Sequence, residues 1–166
     1  MSLSLCTKNK AATVEAAIQS VRQQARTDWR LTVVDDGSAD QGPAIVEALC
    51  KQDARITLIR QPNGGVSAAR NLGVAQSPNE LVAFLDADDQ WLPGHLDNLM
   101  ALHAWVPHAP MWAVAYRLVD DVGMDRPVRT RGSTQGRYLI DDYSAESVAL
   151  ELPRAQFGRH GVQIGL

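Results

Sequence analysis

The sequence predicts an α/β fold of three layers, with helices on both faces of a mostly parallel central sheet. Three observations carry that prediction. Short apolar runs rich in Leu, Ile and Val alternate four times with stretches of helical periodicity between Leu3 and Trp105, which is the pattern of βαβ units. Polar, glycine- or proline-containing breaks separate the runs, as at Asp36-Gly37-Ser38 and Pro62-Asn63-Gly64-Gly65. The composition, 45% hydrophobic and 21% charged, is that of a soluble globular domain without low-complexity tracts.

The elements follow in order. Leu3-Ser4-Leu5-Cys6 is the first strand. Thr13 can cap a helix over about Val14–Gln24, with Val14, Ala17, Ile18 and Val21 on one face. Arg30–Asp35 is the second strand. Pro43 suits the first turn of a helix to Gln52 that presents Ile45, Val46 and Leu49. Arg55–Arg60 is the third strand, and Val66–Val74 is a helix of small residues suited to close packing on the sheet. Leu81–Leu85 is the fourth strand, and Pro93–Trp105 a helix with Leu96, Leu99, Met100 and Leu102 inward. Beyond Pro110 the rhythm weakens. Met111–Val119 reads as one more strand, Arg126–Gly136 as a Gly- and Arg-rich loop, and Ser144–Leu152 as a helix or a strand. The 166 residues form one domain on this reading, with no internal repeat and no linker.

Bulk properties exclude several classes. A net charge of −3 leaves no basic surplus for nucleic acid. Arg126, Arg129, Arg131 and Arg137 read first as a solvated loop and second as an anion-binding surface. Cys6 and Cys50 lack the spacing of a zinc or redox motif and read as free thiols. His95, His103, His108 and His160 lack the spacing of a metal set. No signal peptide or membrane span is found, so the expected location is the cytoplasm, with attachment to the inner membrane face left open.

The chemistry concentrates at strand ends. Phe84-Leu85-Asp86-Ala87-Asp88-Asp89 places three carboxylates directly after an apolar strand. Like charges so close are costly unless a cation neutralises them, and a hard divalent ion accepts carboxylate, water and phosphate oxygens together. Open α/β sheets bind ligands outside the carboxyl ends of their strands. Cys6-Thr7-Lys8-Asn9 and Asp35-Asp36-Gly37-Ser38 lie at two further ends. Asn63-Gly64-Gly65 opens a helix whose N-terminus suits an anion, and Arg70 adds a forked cation. Together they describe a crevice for a nucleotide diphosphate and its metal.

Three blocks in order carry a resemblance: Asp28 to Asp40 around Val33-Val34-Asp35-Asp36-Gly37-Ser38, Gln61 to Gly73, and Phe84 to Pro93. They resemble the successive motifs of the family-2 glycosyltransferases, which have the GT-A fold of nucleotide-diphospho-sugar transferases. The match is good over about residues 2–105 and loose beyond. It implies a nucleotide-sugar-binding half over 1–105 and a partial, truncated acceptor-side half over 106–166. The resemblance further implies metal-dependent transfer of a sugar, most naturally from a UDP-sugar, to a hydroxyl of a glycan, lipid or other acceptor, with inversion. Nucleotide-sugar contacts would come from Thr7, Asn9, Asp36, Arg70 and Asp86, with Asp36 at the base. Asp86 and Asp88 would hold Mg²⁺ or Mn²⁺, with Asp89 in support.

Two departures stand out. The family has Pro-x-Tyr-Asn after strand one, where this chain has Cys6-Thr7-Lys8-Asn9, so Lys8 replaces an aromatic that can stack on the base. No Glu-Asp pair follows to supply the general base an inverting transferase needs. Phe157–Gly161 only faintly resembles the segment before it, and Asp120, Asp121, Asp141, Asp142 and Glu146 lie outside the expected context. The catalytic base is therefore unassigned. A non-catalytic nucleotide-sugar-binding module is the alternative. A sugar-phosphate nucleotidyltransferase ranks lower, because Lys8 and Lys10 are basic there but no glycine follows strand one. The sequence leaves the donor sugar, the acceptor and a homo-oligomeric state open.

Overall fold

The structure is a computed structural model, and it describes residues 1–114, 117–119, 125–127, 137–142 and 145–150, with side chains for 1–112 and 114. The chain divides into two compact units, split between Pro93 and Gly94.

The first unit contains strands β1 (Ser2–Thr7), β2 (Arg30–Asp35), β3 (Ile56–Arg60) and β4 (Val82–Asp86) and helices α1 (Val14–Arg22), α2 (Gly42–Gln52) and α3 (Val66–Ala75). All strand pairs are parallel, in the order β3-β2-β1-β4. The chain thus steps from β1 to β2 to β3 in one direction and then returns to the other side of β1. Right-handed crossovers place α1 and α2 over one face and α3 over the other. The contacts agree: α2 packs on β3 and on α1, and α3 packs on β1 and β2. This is the layered α/β arrangement expected from the alternating runs. Leu3, Leu5, Val14, Ile18, Val21, Leu31, Val33 and Val46 are fully buried and form the core.

The second unit holds α4 (His95–Trp105), a three-stranded antiparallel sheet β5-β9-β8 (Met111–Val114, Ala145–Leu150, Arg137–Asp142), and a pair β6-β7 (Arg117–Val119, Asp125–Pro127). Within the single strand expected over Met111–Val119 lie two strands, β5 and β6, and within the expected Ser144–Leu152 the residues Ala145–Leu150 are strand. Arg126 lies in β7, while residues 128–136 and Phe157–Gly161 of the expected features fall outside the described residues. Trp112 packs edge-on against His103 and donates its indole N–H to Val106 O (3.1 Å), whereas Trp105 is exposed. Among the described residues no helix is long and apolar enough to cross a membrane.

Two local features position the strand ends. The start of α1 is closed by backbone: Lys10 O accepts from Thr13 N (3.0 Å) and Val14 N (2.9 Å). Thr13 occupies the N-cap position as expected, but its side chain makes no capping bond. The chain leaving β4 is held by α1, because Ser20 Oγ accepts from Trp91 N (3.0 Å) and Gln24 Nε2 donates to Leu92 O (3.0 Å).

The α3–sheet contact is close at Gly73. Ser4 on β1 and Val34 on β2 face Gly73, where a Cβ would lie 3.0 Å from Ser4 Cβ and inside the radius of Ser4 Oγ. The small residues at Ala69 and Gly73, both buried, let the helix sit directly on β1. Alanine at 73 would gain about 1 kcal/mol of helix propensity but overpack the seam. The net expectation for Gly73→Ala is a loss of about 1–2 kcal/mol, seen as a lower thermal midpoint. Adding Ser4→Gly should recover part of it.

Candidate functional site

The strand order reverses beside β1, so the C-terminal ends of β1 and β4 flank the opening where open α/β sheets take ligands. A crevice of about 260 Å³ lies there. Its walls are Cys6, Thr7, Lys8 and Lys10 from β1 and its loop, Asp36 from β2, Asn63, Gly65, Val66 and Ala69 from the start of α3, and Asp86, Ala87 and Asp88 from β4. A larger hollow, about 460 Å³, lies between α2 and the edge strand β3. Its only acid, Glu47, is paired with Arg60 at 2.8 Å, so it lacks the convergent charges of the crevice.

The loop after β1 is stitched to the loop after β2. Asn9 adopts a left-handed conformation (φ 53°). Its amide N donates to Ser38 Oγ (2.9 Å) and its Oδ1 accepts from Ala39 N (2.8 Å). Ala11 N donates to Asp40 Oδ2 (2.8 Å). Gly37 (φ 73°) lets Asn63 approach, since a Cβ there would meet Asn63 N at 2.9 Å. Asn9 thus spends its side chain on the loop, while Thr7 is buried beside the crevice with its hydroxyl unpartnered.

Asp36 is buried, at 4% exposure, and fastens the glycine loop to the end of β2. Its Oδ1 accepts from Gln61 Nε2 (2.6 Å) and Gly64 N (2.7 Å), and its Oδ2 accepts from Gly65 N (2.9 Å). Burial works against the charged carboxylate. The bonds from Gly64, Gln61 and Gly65, with the field of Lys8, outweigh it and hold the group below the ordinary 3.8. Gln61 was not among the residues expected at the site; its position just past β3 was the available signal.

At β4 the acids meet cations. Arg70 Nη2 donates to both oxygens of Asp86 at 2.9 Å, and its buried Nε has no partner. Lys10 Nζ lies 2.6 Å from Asp88 Oδ2. The Lys10 bond lowers the Asp88 pKa and the same bond raises that of Lys10. Asp89 is raised, by burial and then by the fields of Asp88 and Asp86. Burial pushes the Cys6 thiol up to about 11, against the pull of Arg70, so it is inert as a nucleophile near neutral pH. Of the expected residues, Thr7, Asp36, Asp86 and Asp88 converge on the crevice, and Arg70 joins through Asp86. Lys10 is the addition that sequence reasoning left out of the site.

Among the described residues no three His, Cys, Asp or Glu side chains gather as a metal cage. The donor set at Asp86 and Asp88 is hard oxygen, each of the pair already holds a cationic group, and neighbouring Asp89 still feels the field of both carboxylates. That chemistry fits Mg²⁺ or Mn²⁺, which need few protein ligands when water and phosphate supply the rest.

Comparison with known proteins places the chain in a family and a fold. A sequence profile of glycosyl transferase family 2 matches residues 2–151. The chain therefore belongs to the family-2 glycosyltransferases. A protein of Nostoc sp., named as an uncharacterized glycosyltransferase, is 34% identical over 138 residues, covering 82% of this chain and 42% of its own length. A crystal structure of TarS 1-349 from S. aureus in complex with UDP-GlcNAc is similar at a TM-score of 0.59 and 26% identity, over 68% of this chain and 32% of that one. The mannosyltransferase PcManGT from Pyrobaculum calidifontis, in complex with GDP-Man and Mn²⁺, shares the fold at a TM-score of 0.57 and 22% identity, over 68% and 33%. The chain spans less than half the length of the curated relatives it matches.

Removing the charge of Asp36 while keeping its shape tests the clasp. Asp36→Asn is expected to cost about 1–3 kcal/mol at pH 7, measured by denaturant melts. The folded pKa is depressed, so this stabilisation is complete above about 4 and is lost as pH falls through the folded value. The gap between wild type and Asp36→Asn should therefore narrow towards pH 2.

Proposed function

We propose that this protein acts as a glycosyltransferase that moves a sugar from a nucleoside-diphosphate sugar to an acceptor hydroxyl, with inversion and with Mg²⁺ or Mn²⁺ at Asp86 and Asp88. A UDP-sugar is the first choice of donor, in line with the UDP-GlcNAc named for TarS. One observation carries the reading: two acid–cation pairs, Arg70–Asp86 and Lys10–Asp88, meet at the reversal of strand order. Fixed charge of both signs at that opening suits a diphosphate together with its counter-ion.

Each residue has a task under this reading. Asp36 holds the Asn63–Gly65 loop as one wall for the nucleotide. Three of its roughly four lone-pair sites are used, which leaves one for a base N–H. Thr7 offers its unpartnered hydroxyl to the nucleotide, and Asn9 keeps that loop in shape. Arg70 orients Asp86 and has a donor, Nε, to spare. The bound cation would act as a Lewis acid on the diphosphate as the bond to the sugar breaks. Charge developing on the leaving group is then met by groups fixed in advance rather than by reorganising water. Residues 1–105 form the nucleotide-sugar half in this scheme and 106–166 belong to the acceptor side. Asp86 and Asp88 are committed to cations, so neither takes the acceptor proton. The setting is a reducing cytoplasm, which keeps Cys6 and Cys50 as the free thiols observed.

Calorimetry with UDP and Mn²⁺ tests the reading. Wild type should bind UDP at least tenfold more tightly with Mn²⁺ than in chelator, and Asp88→Ala should abolish that difference. Equal metal dependence in both proteins would remove Asp88 from the site. A panel of UDP-, GDP- and dTDP-sugars then tests turnover, with Asp88-dependent donor hydrolysis or transfer expected.

A further inference from the structure

We propose that Lys10 is a built-in counter-cation that competes with the divalent ion for Asp88 and passes to the diphosphate when nucleotide binds. The inference rests on the metal reading above and adds a residue and a coupling to it. Lys10 is not a loosely tethered surface lysine. Its carbonyl caps α1 through Thr13 N and Val14 N, and the residues on either side, Asn9 and Ala11, are hydrogen-bonded to the loop after β2. The backbone thus delivers the ammonium across the mouth of the crevice to a residue 78 positions away, at 2.6 Å.

The distance makes the competition steric as well as electrostatic. A divalent ion binds a carboxylate oxygen at about 2.0–2.6 Å, so ammonium and metal cannot share Oδ2 of Asp88 on the same side. Even beside each other they repel. Asp88 therefore holds either Lys10 or a metal. Nucleotide changes the balance, because a diphosphate in the crevice gives the Lys10 ammonium a second anionic partner. Both side chains are near half exposed (43% and 49%), so the exchange needs rotation of a flexible stem and no rearrangement of the core. Metal and nucleotide should then assist each other's binding, reciprocally.

The test uses the whole chain and three substitutions. Lys10→Met keeps the stem and removes the charge. Lys51→Met removes a charge on α2, outside the crevice, and reports the general effect of net charge. Asp88→Asn reports the metal site itself. Mn²⁺ affinity without nucleotide is read from the loss of the free-ion electron paramagnetic resonance signal, and UDP affinity in chelator from calorimetry. Lys10→Met should bind Mn²⁺ about three- to tenfold more tightly than wild type yet bind metal-free UDP several-fold more weakly, with Lys51→Met unchanged in both. Opposite signs in one variant are the signature, since a merely structural lysine would weaken both. Unchanged or weaker Mn²⁺ binding in Lys10→Met, with Asp88→Asn losing it, overturns the role of Lys10 alone. Mn²⁺ binding that ignores Asp88→Asn, or none in any of the proteins, overturns the metal reading and this proposal with it.

Discussion

Negative charge gathered at one edge of a small sheet is the constraint to which this structure answers. The second and fourth strands deliver aspartates to the same rim: Asp35 and Asp36 from β2 and its turn, Asp86 and Asp88 from β4 and its turn. In a parallel sheet those ends cannot be turned away from one another, because every strand points the same way. Each carboxylate has to be answered locally. Asp35 accepts from Ser38 N at 3.1 Å, Asp36 from two backbone amides and Gln61, Asp86 from Arg70, and Asp88 from Lys10. Loop conformation, the seating of α3 and the position of both cations follow from that arrangement.

The four answers differ in kind, and the difference sorts scaffold from site. Asp35 and Asp36 are buried and satisfied by the protein's own N–H groups. Such a carboxylate is expensive to disturb, because its partners would be left unpaired in a dry place. Asp86 is intermediate: its partner Arg70 is mostly covered, at 18% side-chain exposure, and arrives from α3, which lies close on the sheet at Gly73. Asp88 is open, and its partner Lys10 reaches it with a half-exposed side chain through one hydrogen-bonded ion pair. Exposure of the carboxylates thus rises from Asp36 to Asp88 and is greatest where a ligand's own charges would have to be admitted. The close packing at Ser4 and Gly73 serves the same end, because it fixes the register of α3 and therefore the reach of Arg70.

Family membership and the local physics reinforce each other. The family assignment rests on three sequence blocks and the profile match over residues 2–151. The structure shows what those blocks have in common: each contributes residues to the same rim. Their spacing in sequence reflects the length of βαβ units, and their chemistry reflects what a strand end can present. Departures from the family pattern also gain meaning. Lys8, in place of an aromatic, lies near enough to Asp36 to act on its carboxylate, so the substitution changes the electrostatics of the crevice as well as its surface.

Much of this was legible along the chain because it depends on period and punctuation. Apolar alternation marked β1–β4 and the helices between them to within a few residues, and Gly64-Gly65 and the Asp86–Asp89 cluster marked the rim. The second unit was read less well. Its strand β5 pairs with β9, far away in sequence, Met111 opposite Leu150, and no local pattern records such a pairing. The same reason explains the site. Residue type placed Asp36, Arg70, Asp86 and Asp88 near a crevice, but partnership came from folding: Lys10 with Asp88 across 78 positions, Gln61 with Asp36 across 25. A linear string states which charges exist and in what order. Which of them neutralise one another is settled by distance, and distance exists only once β1, β2 and β4 lie side by side.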